Sequence, residues 1–66
     1  MDVSIQTLSL VREETDKNIA IFCERHGEDF NYVKEYMQDK ADKHNVLSPA
    51  DYILRVYEMS VDYLID

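Results

Sequence analysis

The stretch SPADYILRVYEMSVDYLI, Ser48–Ile65, decides the fold of this chain. The Ser48 hydroxyl can accept a hydrogen bond from the first turn of a helix, and Pro49 suits the first helical position, where its missing N–H costs nothing. Asp51 can complete a capping box with Ser48. We therefore predict a helix over residues 49–65.

This third helix is apolar over most of its circumference. At about 100° per residue its polar side chains fall on a strip only about 60° wide, which contains Asp51, Arg55, Glu58 and Asp62. A surface helix needs an apolar stripe of only about 100°. The rest of the protein must therefore cover an unusually large apolar surface.

The first helix is predicted over residues 3–26, with Asp2 or Ser4 as its N-cap and Gly27 as the left-handed residue after its end. Three- and four-residue steps place six side chains on one face: Ile5, Leu8, Thr15, Ile19, Phe22 and His26. An alternative is a β-hairpin, because segments 8–11 and 19–22 could pair as strands around the polar residues 15–18. A helix kinked at residues 15–18 is a further variant.

The second helix is predicted over residues 29–44. Glu28 and Asp29 suit its positive end, and lysines suit its negative end. Its apolar stripe consists of Phe30, Val33, Met37, Ala41 and His44. The connection to Ser48 is so short that helices two and three should form an antiparallel αα-hairpin.

The predicted fold is thus all-α, a small three-helix bundle with up-down-up topology in a single domain, residues 1–66. The runner-up is an N-terminal β-hairpin followed by two helices. A chain of 66 residues buries only about 60% of its unfolded surface, so a monomer of this size is marginally stable. We expect a homodimer, which would cover the surplus apolar surface of the third helix.

The acidic charge limits the classes of partner. Fourteen acidic and seven basic residues give a net charge of −7, spread along the whole chain. Direct binding to nucleic acid or to an anionic membrane is disfavoured, because both need a basic patch. No apolar run reaches the length of a membrane span, and the first residues do not resemble a secretory signal, so we expect a cytoplasmic protein.

Few residues suggest catalysis or a metal site. His26 and His44 occupy the last turns of their predicted helices, where an imidazole favoured by the helix dipole is the ordinary explanation. Cys23 and His26 would share a buried helix face, whereas a nucleophilic thiol needs an accessible, electropositive setting. We therefore predict no catalytic residue, no metal and no cofactor.

Seven residues are predicted to bind a protein partner. Tyr32 and Tyr36 are one helical turn apart at the border of the second stripe, and tyrosine is frequent at interface hot spots. Glu58 and Asp62 could contact lysine or arginine of a basic partner. The apolar side of the third helix adds Tyr52, Met59 and Tyr63.

The predicted function is that of a non-enzymatic, acidic protein-interaction module: a regulator, inhibitor or assembly factor that binds a protein partner or itself. The alternative is a nucleic-acid mimic whose carboxylates block the basic cleft of a DNA- or RNA-handling protein. The affinity of a mimic should fall steeply with salt, whereas apolar docking should change little.

Overall fold

The computed structural model describes residues 4–42 and 48–65 as three packed α-helices. They are α1 (Ile5–His26), α2 (Phe30–Asp42) and α3 (Pro49–Ile65). The predicted all-helical bundle is confirmed. The β-hairpin alternative is wrong, because both of its candidate strands lie within α1.

Each helix begins where a side chain satisfies a free backbone N–H. Ser4 Oγ accepts from the N–H of Thr7 at 3.1 Å, Asp29 Oδ2 from that of Tyr32 at 2.9 Å, and Ser48 Oγ from that of Asp51 at 3.1 Å. The caps predicted at Ser4 and Ser48 are confirmed. Asp29 precedes α2, which begins one residue later than predicted.

Gly27 ends α1 in the left-handed conformation, with φ of 67°. Its N–H and that of Glu28 both donate to the carbonyl oxygen of Cys23, the latter at 3.0 Å. These bonds satisfy the carbonyl oxygen of Cys23 in the last turn of α1, and the chain reverses its direction within a few residues.

Segment 15–18 continues α1 without a break, although its residues are poor helix formers. The Thr15 hydroxyl donates to the carbonyl oxygen of Val11 at 2.8 Å, and Thr15 is buried. Asn18 Nδ2 donates to Ser60 Oγ on α3 at 3.2 Å. Tertiary contacts therefore outweigh local propensity in this segment.

The core lies where the three helices meet. Its buried apolar members are Ile19, Cys23, Val33, Met37, Ala41 and Val56. Five half-buried side chains pack around them: Phe22, Phe30, Tyr52, Met59 and Tyr63. The stripe predicted for α2 is confirmed from Phe30 to Ala41, and His44 lies outside the described residues.

The stripe predicted for α1 is wrong at both ends. Ile5 is 83% exposed, and His26 is exposed as well. The buried residues of α1 are Thr15, Ile19 and Cys23. The other helices therefore cover its middle and not the full length of the predicted stripe.

Contacts along the helices define their directions. From α1 to α3 they advance in the same order: Asn18 bonds Ser60, and one turn later Phe22 contacts Tyr63. On α2 the order is reversed, since Tyr32 lies near Phe22 whereas Lys34 pairs with the earlier Asp16 at 3.0 Å. Residues 43–47, which would form the turn of the predicted αα-hairpin, lie outside the described part of the chain.

α1 and α2 cover only one side of α3. Val56 and Ser60 are the two buried residues of α3. Glu58 and Asp62 are exposed, whereas Asp51 and Arg55 of the predicted polar strip are half-buried. A second apolar set stays half-buried and defines the outer face of α3: Leu54, Tyr57, Val61 and Leu64.

Candidate functional site

A concave surface lies at the end of the bundle where α1 ends, α2 begins and α3 ends. We call it the aromatic cavity; it has a volume of about 270 Å³ and is lined by Phe22, Glu28, Tyr32, Val33, Tyr36 and Tyr63. Four of these six side chains are aromatic. The predicted binding residues Tyr32, Tyr36 and Tyr63 are therefore brought together, although they come from two helices.

Local structure places the tyrosines of α2 at the rim of this cavity. Tyr32 is 65% exposed and Tyr36 is 43% exposed, whereas Val33 between them is buried. Asp29 fixes the first turn of α2 through the N–H of Tyr32. The two rings consequently share one edge of a helix whose opposite side is anchored in the core.

Phe22 and Tyr63 form the wall contributed by α1 and α3. Their ring centroids are 5.0 Å apart at an interplanar angle of 64°, an edge-to-face contact. The imidazole of His26 also contacts Phe22, with ring centroids 4.5 Å apart and ring planes tilted by 38°. His26 is thus an exposed residue whose ring packs against Phe22.

Cations already contact aromatic rings in this part of α2. Lys40 Nζ lies 4.8 Å from the centroid of Tyr36, and Lys34 Nζ lies 5.7 Å from that of Phe30. A hydrogen bond with the Tyr36 side chain raises the pKa of the Lys40 ammonium. Lys40 does not line the aromatic cavity, so its ammonium contacts Tyr36 from outside it.

Glu28 contributes the one charged side chain among the residues that line the aromatic cavity. Its backbone is held by the bond to Cys23, while its side chain is exposed. Within residues 4–42 and 48–65, the ion pairs join Lys17 to Glu14 and Lys34 to Asp16, and neither involves Glu28. The cavity therefore combines aromatic walls with one solvated carboxylate.

Tyr52 lies apart from the other predicted tyrosines, in a second cavity of about 310 Å³ between the three helices. Burial, followed by the nearby charge of Asp42, raises the pKa of the Tyr52 hydroxyl. Lys34 pairs with Asp16 at 3.0 Å in this second cavity, and Arg12 contributes a further positive charge to its lining. Tyr52 therefore lies among charged side chains rather than among the other predicted tyrosines.

The remaining predicted binding residues also lie away from the aromatic cavity. Met59 packs against the core. Glu58 and Asp62 are exposed on α3 and line neither cavity. The structure thus separates the tyrosine pair from the acidic pair that the sequence had suggested for the same partner.

Cys23 is a buried side chain of the core. Burial raises the pKa of its thiol, and the carboxylates of Asp29 and Glu28 raise it further. A thiol in this setting stays protonated at neutral pH and is a poor nucleophile. Among the residues the structure describes, no three histidine, cysteine, aspartate or glutamate side chains are grouped as metal ligands would be.

Three residues of the aromatic cavity were not predicted to bind a partner. One of them, Val33, belongs to the core stripe predicted for α2. Phe22 was assigned to the core stripe of α1, and Glu28 was explained by the dipole of α2. The signal that connects them is Gly27, because a left-handed residue reverses the chain and brings the end of α1 beside the start of α2.

No helix in the described ranges has both the length and the apolar character needed to cross a membrane. Comparison of the chain with protein-family models, curated proteins and solved structures gave no match.

Proposed function

We propose that this protein is a non-enzymatic, acidic protein-interaction module that binds a protein partner through the aromatic cavity. The observation that carries the proposal is the convergence of Tyr32, Tyr36 and Tyr63 around one concave surface. Tyrosine offers a large contact area at a small cost in side-chain entropy, and fixed aromatic side chains are typical interface anchors. Such a module would act as a regulator, inhibitor or assembly factor.

The net charge favours a basic partner. With a charge of −7, the protein attracts positively charged surfaces over about one Debye length and repels nucleic acid. Glu58 and Asp62 add exposed carboxylates on α3, which would increase the association rate more than the affinity. A free cysteine suits the reducing cytoplasm.

The test is a differential capture experiment with the full chain immobilised. A Tyr32→Ser/Tyr36→Ser variant removes both exposed rings, and a Leu10→Ser/Ile21→Ser variant removes two exposed apolar side chains from the outer side of α1. We expect the wild type and the α1 variant to capture the same host protein. The tyrosine variant should capture at least tenfold less of it. Equal capture by all three, with unchanged helicity, would disprove the proposal.

The salt response separates this function from the alternative, a nucleic-acid mimic. Binding through aromatic rings should weaken only a fewfold between about 50 and 200 mM salt, because the buried contact is largely apolar. A mimic with many ion pairs should lose affinity by orders of magnitude over the same range. A steep salt dependence that survives loss of both tyrosines would favour the mimic.

Self-association is a separate proposal and concerns the outer face of α3. Its four apolar side chains are half-buried in one copy, and a two-fold helix–helix contact would bury them further. Sedimentation between about 1 and 100 μM should give twice the monomer mass. A Leu54→Lys/Val61→Lys variant should sediment as a helical monomer. A wild type that is monomeric at all these concentrations would disprove dimerisation.

A further inference from the structure

The aromatic cavity has the composition of a site for a positively charged side chain. Its walls are aromatic, and its one charged group is the Glu28 carboxylate. The negative face of an aromatic ring attracts a cation, and a carboxylate at the rim can neutralise the charge of that cation. We propose that the cavity binds the guanidinium group of an arginine on the partner, stacked on the tyrosine rings and paired with Glu28.

This inference rests on the proposed function and specifies what the partner presents. The volume of about 270 Å³ is just below the range of about 300–1,000 Å³ that is typical of small-molecule pockets. A space of this size has room for one long side chain of a protein partner.

One ring of the aromatic cavity, that of Tyr36, already contacts a cation. Lys40 Nζ contacts the Tyr36 ring at 4.8 Å without lining the cavity. Its distance to the centroid is within the range of about 6 Å over which cation–π attraction operates. An arginine entering the cavity would make the same kind of contact with Tyr32, Tyr36 or Tyr63.

Arginine fits better than lysine for two physical reasons. The planar guanidinium group can stack on a ring while donating two parallel hydrogen bonds to one carboxylate. It is also less strongly hydrated than an ammonium group, so its transfer to a half-open aromatic surface costs less. The overall charge of −7 adds a long-range preference for basic segments.

The first experiment uses three short peptides of the form acetyl-Gly-X-Gly-amide, where X is arginine, lysine or citrulline. Citrulline has nearly the shape of arginine but no charge. Titration of the wild-type protein, followed by NMR of the aromatic ring protons, should shift the signals of Phe22, Tyr32, Tyr36 and Tyr63. We expect the arginine peptide to bind at millimolar concentration, lysine more weakly, and citrulline not measurably.

The second experiment compares Glu28→Gln with Glu35→Gln. Both variants remove one negative charge from an exposed position near or on α2, but Glu35 does not line the cavity. The backbone N–H of residue 28 still bonds Cys23 in the first variant. Glu28→Gln should weaken the arginine peptide about three- to fivefold, as expected for an exposed ion pair, while Glu35→Gln should leave it unchanged.

Each result has a defined meaning. No ring shifts at tens of millimolar arginine peptide, equal binding of citrulline, or an equal loss in both glutamine variants would overturn the arginine site. If the differential capture experiment still depends on Tyr32 and Tyr36 in that case, the interaction function stands and only the arginine assignment fails. If the peptide binds as expected but capture does not depend on the tyrosines, the proposed function fails and the site for a cation remains.

Discussion

Asn18 Nδ2 donates a hydrogen bond to Ser60 Oγ across 3.2 Å, and Ser60 has no solvent-exposed surface. Ser60 Oγ in turn donates to the carbonyl oxygen of Tyr57 at 2.6 Å, so its donor and acceptor capacities are both used. The small hydroxymethyl group allows α1 and α3 to approach closely at this point. Ser60 therefore determines how closely α1 and α3 approach, and its hydrogen bond with Asn18 fixes which positions of the two helices lie side by side.

Enlarging Ser60 should separate α1 from α3. We expect Ser60→Leu to lower the free energy of unfolding by about 1–3 kcal/mol or more, because added methylene groups have no space in a packed interface. Ser60→Ala should cost less than about 1 kcal/mol, since the lost hydrogen bonds are partly offset by the higher helix propensity of alanine. Urea denaturation followed by circular dichroism measures both values. Equal stability of the leucine variant and the wild type would contradict this close approach.

Gly27 should be sensitive to any side chain with a Cβ, for conformational rather than steric reasons. No atom lies within 4 Å of the position that a Cβ would occupy, but φ is +67°. Gly27→Ala should cost about 1–2 kcal/mol, and Gly27→Asn should cost less, because asparagine tolerates the left-handed region better. Thermal denaturation should rank the three proteins in the order glycine, asparagine, alanine. An alanine variant as stable as the asparagine variant would contradict the conformational explanation.

Met37 is the largest fully buried side chain of α2, with 0% exposure. Met37→Ala should lower the free energy of unfolding by about 2–5 kcal/mol. A domain of this size has a total stability of only about 3–10 kcal/mol, so this variant should lose a large share of its stability. Met37→Leu conserves volume and should cost less than about 1.5 kcal/mol. A cooperative melt for the alanine variant close to that of the wild type would contradict the placement of Met37.

The helices were predictable because their signals are local. Ser4, Gly27 and Ser48 mark helix boundaries by side-chain and backbone chemistry that acts within a few residues. Exposure was harder to predict, since the periodicity that placed Ile5 in the core says nothing about where a neighbouring helix stops.

The candidate site was predicted only in part, because it depends on contacts between helices. The spacing of Tyr32 and Tyr36 identified one wall of the aromatic cavity. The opposite wall joins Phe22 to Tyr63, which are far apart in the sequence and meet only through the packing of α1 on α3. Glu58 and Asp62 are neighbours on α3 in the same way as the tyrosines on α2, yet they line neither of the two cavities described above.

Tyr52 should ionise at higher pH than an ordinary tyrosine, since burial and the charge of Asp42 both raise the pKa of its hydroxyl. In an absorbance titration of the folded protein at 295 nm, the Tyr52→Phe variant should lose signal mainly from the most alkaline part of the curve. Tyr32→Phe serves as the control, because Tyr32 is 65% exposed. Identical difference curves for the two variants would contradict the burial of Tyr52.

Cys23 should make the stability of the protein fall at alkaline pH. Burial raises the pKa of its thiol in the folded state, followed in importance by the charges of Asp29 and Glu28. Below the pKa of the unfolded chain the thiol is protonated in both states, so its contribution is fully present. Above that pKa the unfolded state releases its proton first, and stability is lost as the pH rises toward the pKa of the folded state.

The contribution of this thiol is isolated by comparing the wild type with Cys23→Ala. Other groups that titrate in the same range, such as Tyr52 and Lys40, are common to both proteins and cancel in the difference. The free energy of unfolding, measured by urea denaturation under reducing conditions at pH 7, 8.5 and 10, should decline more steeply for the wild type. Parallel declines would show that the thiol ionises as readily in the folded protein as in the unfolded chain, which its burial among Ile19, Val33 and Met37 does not allow.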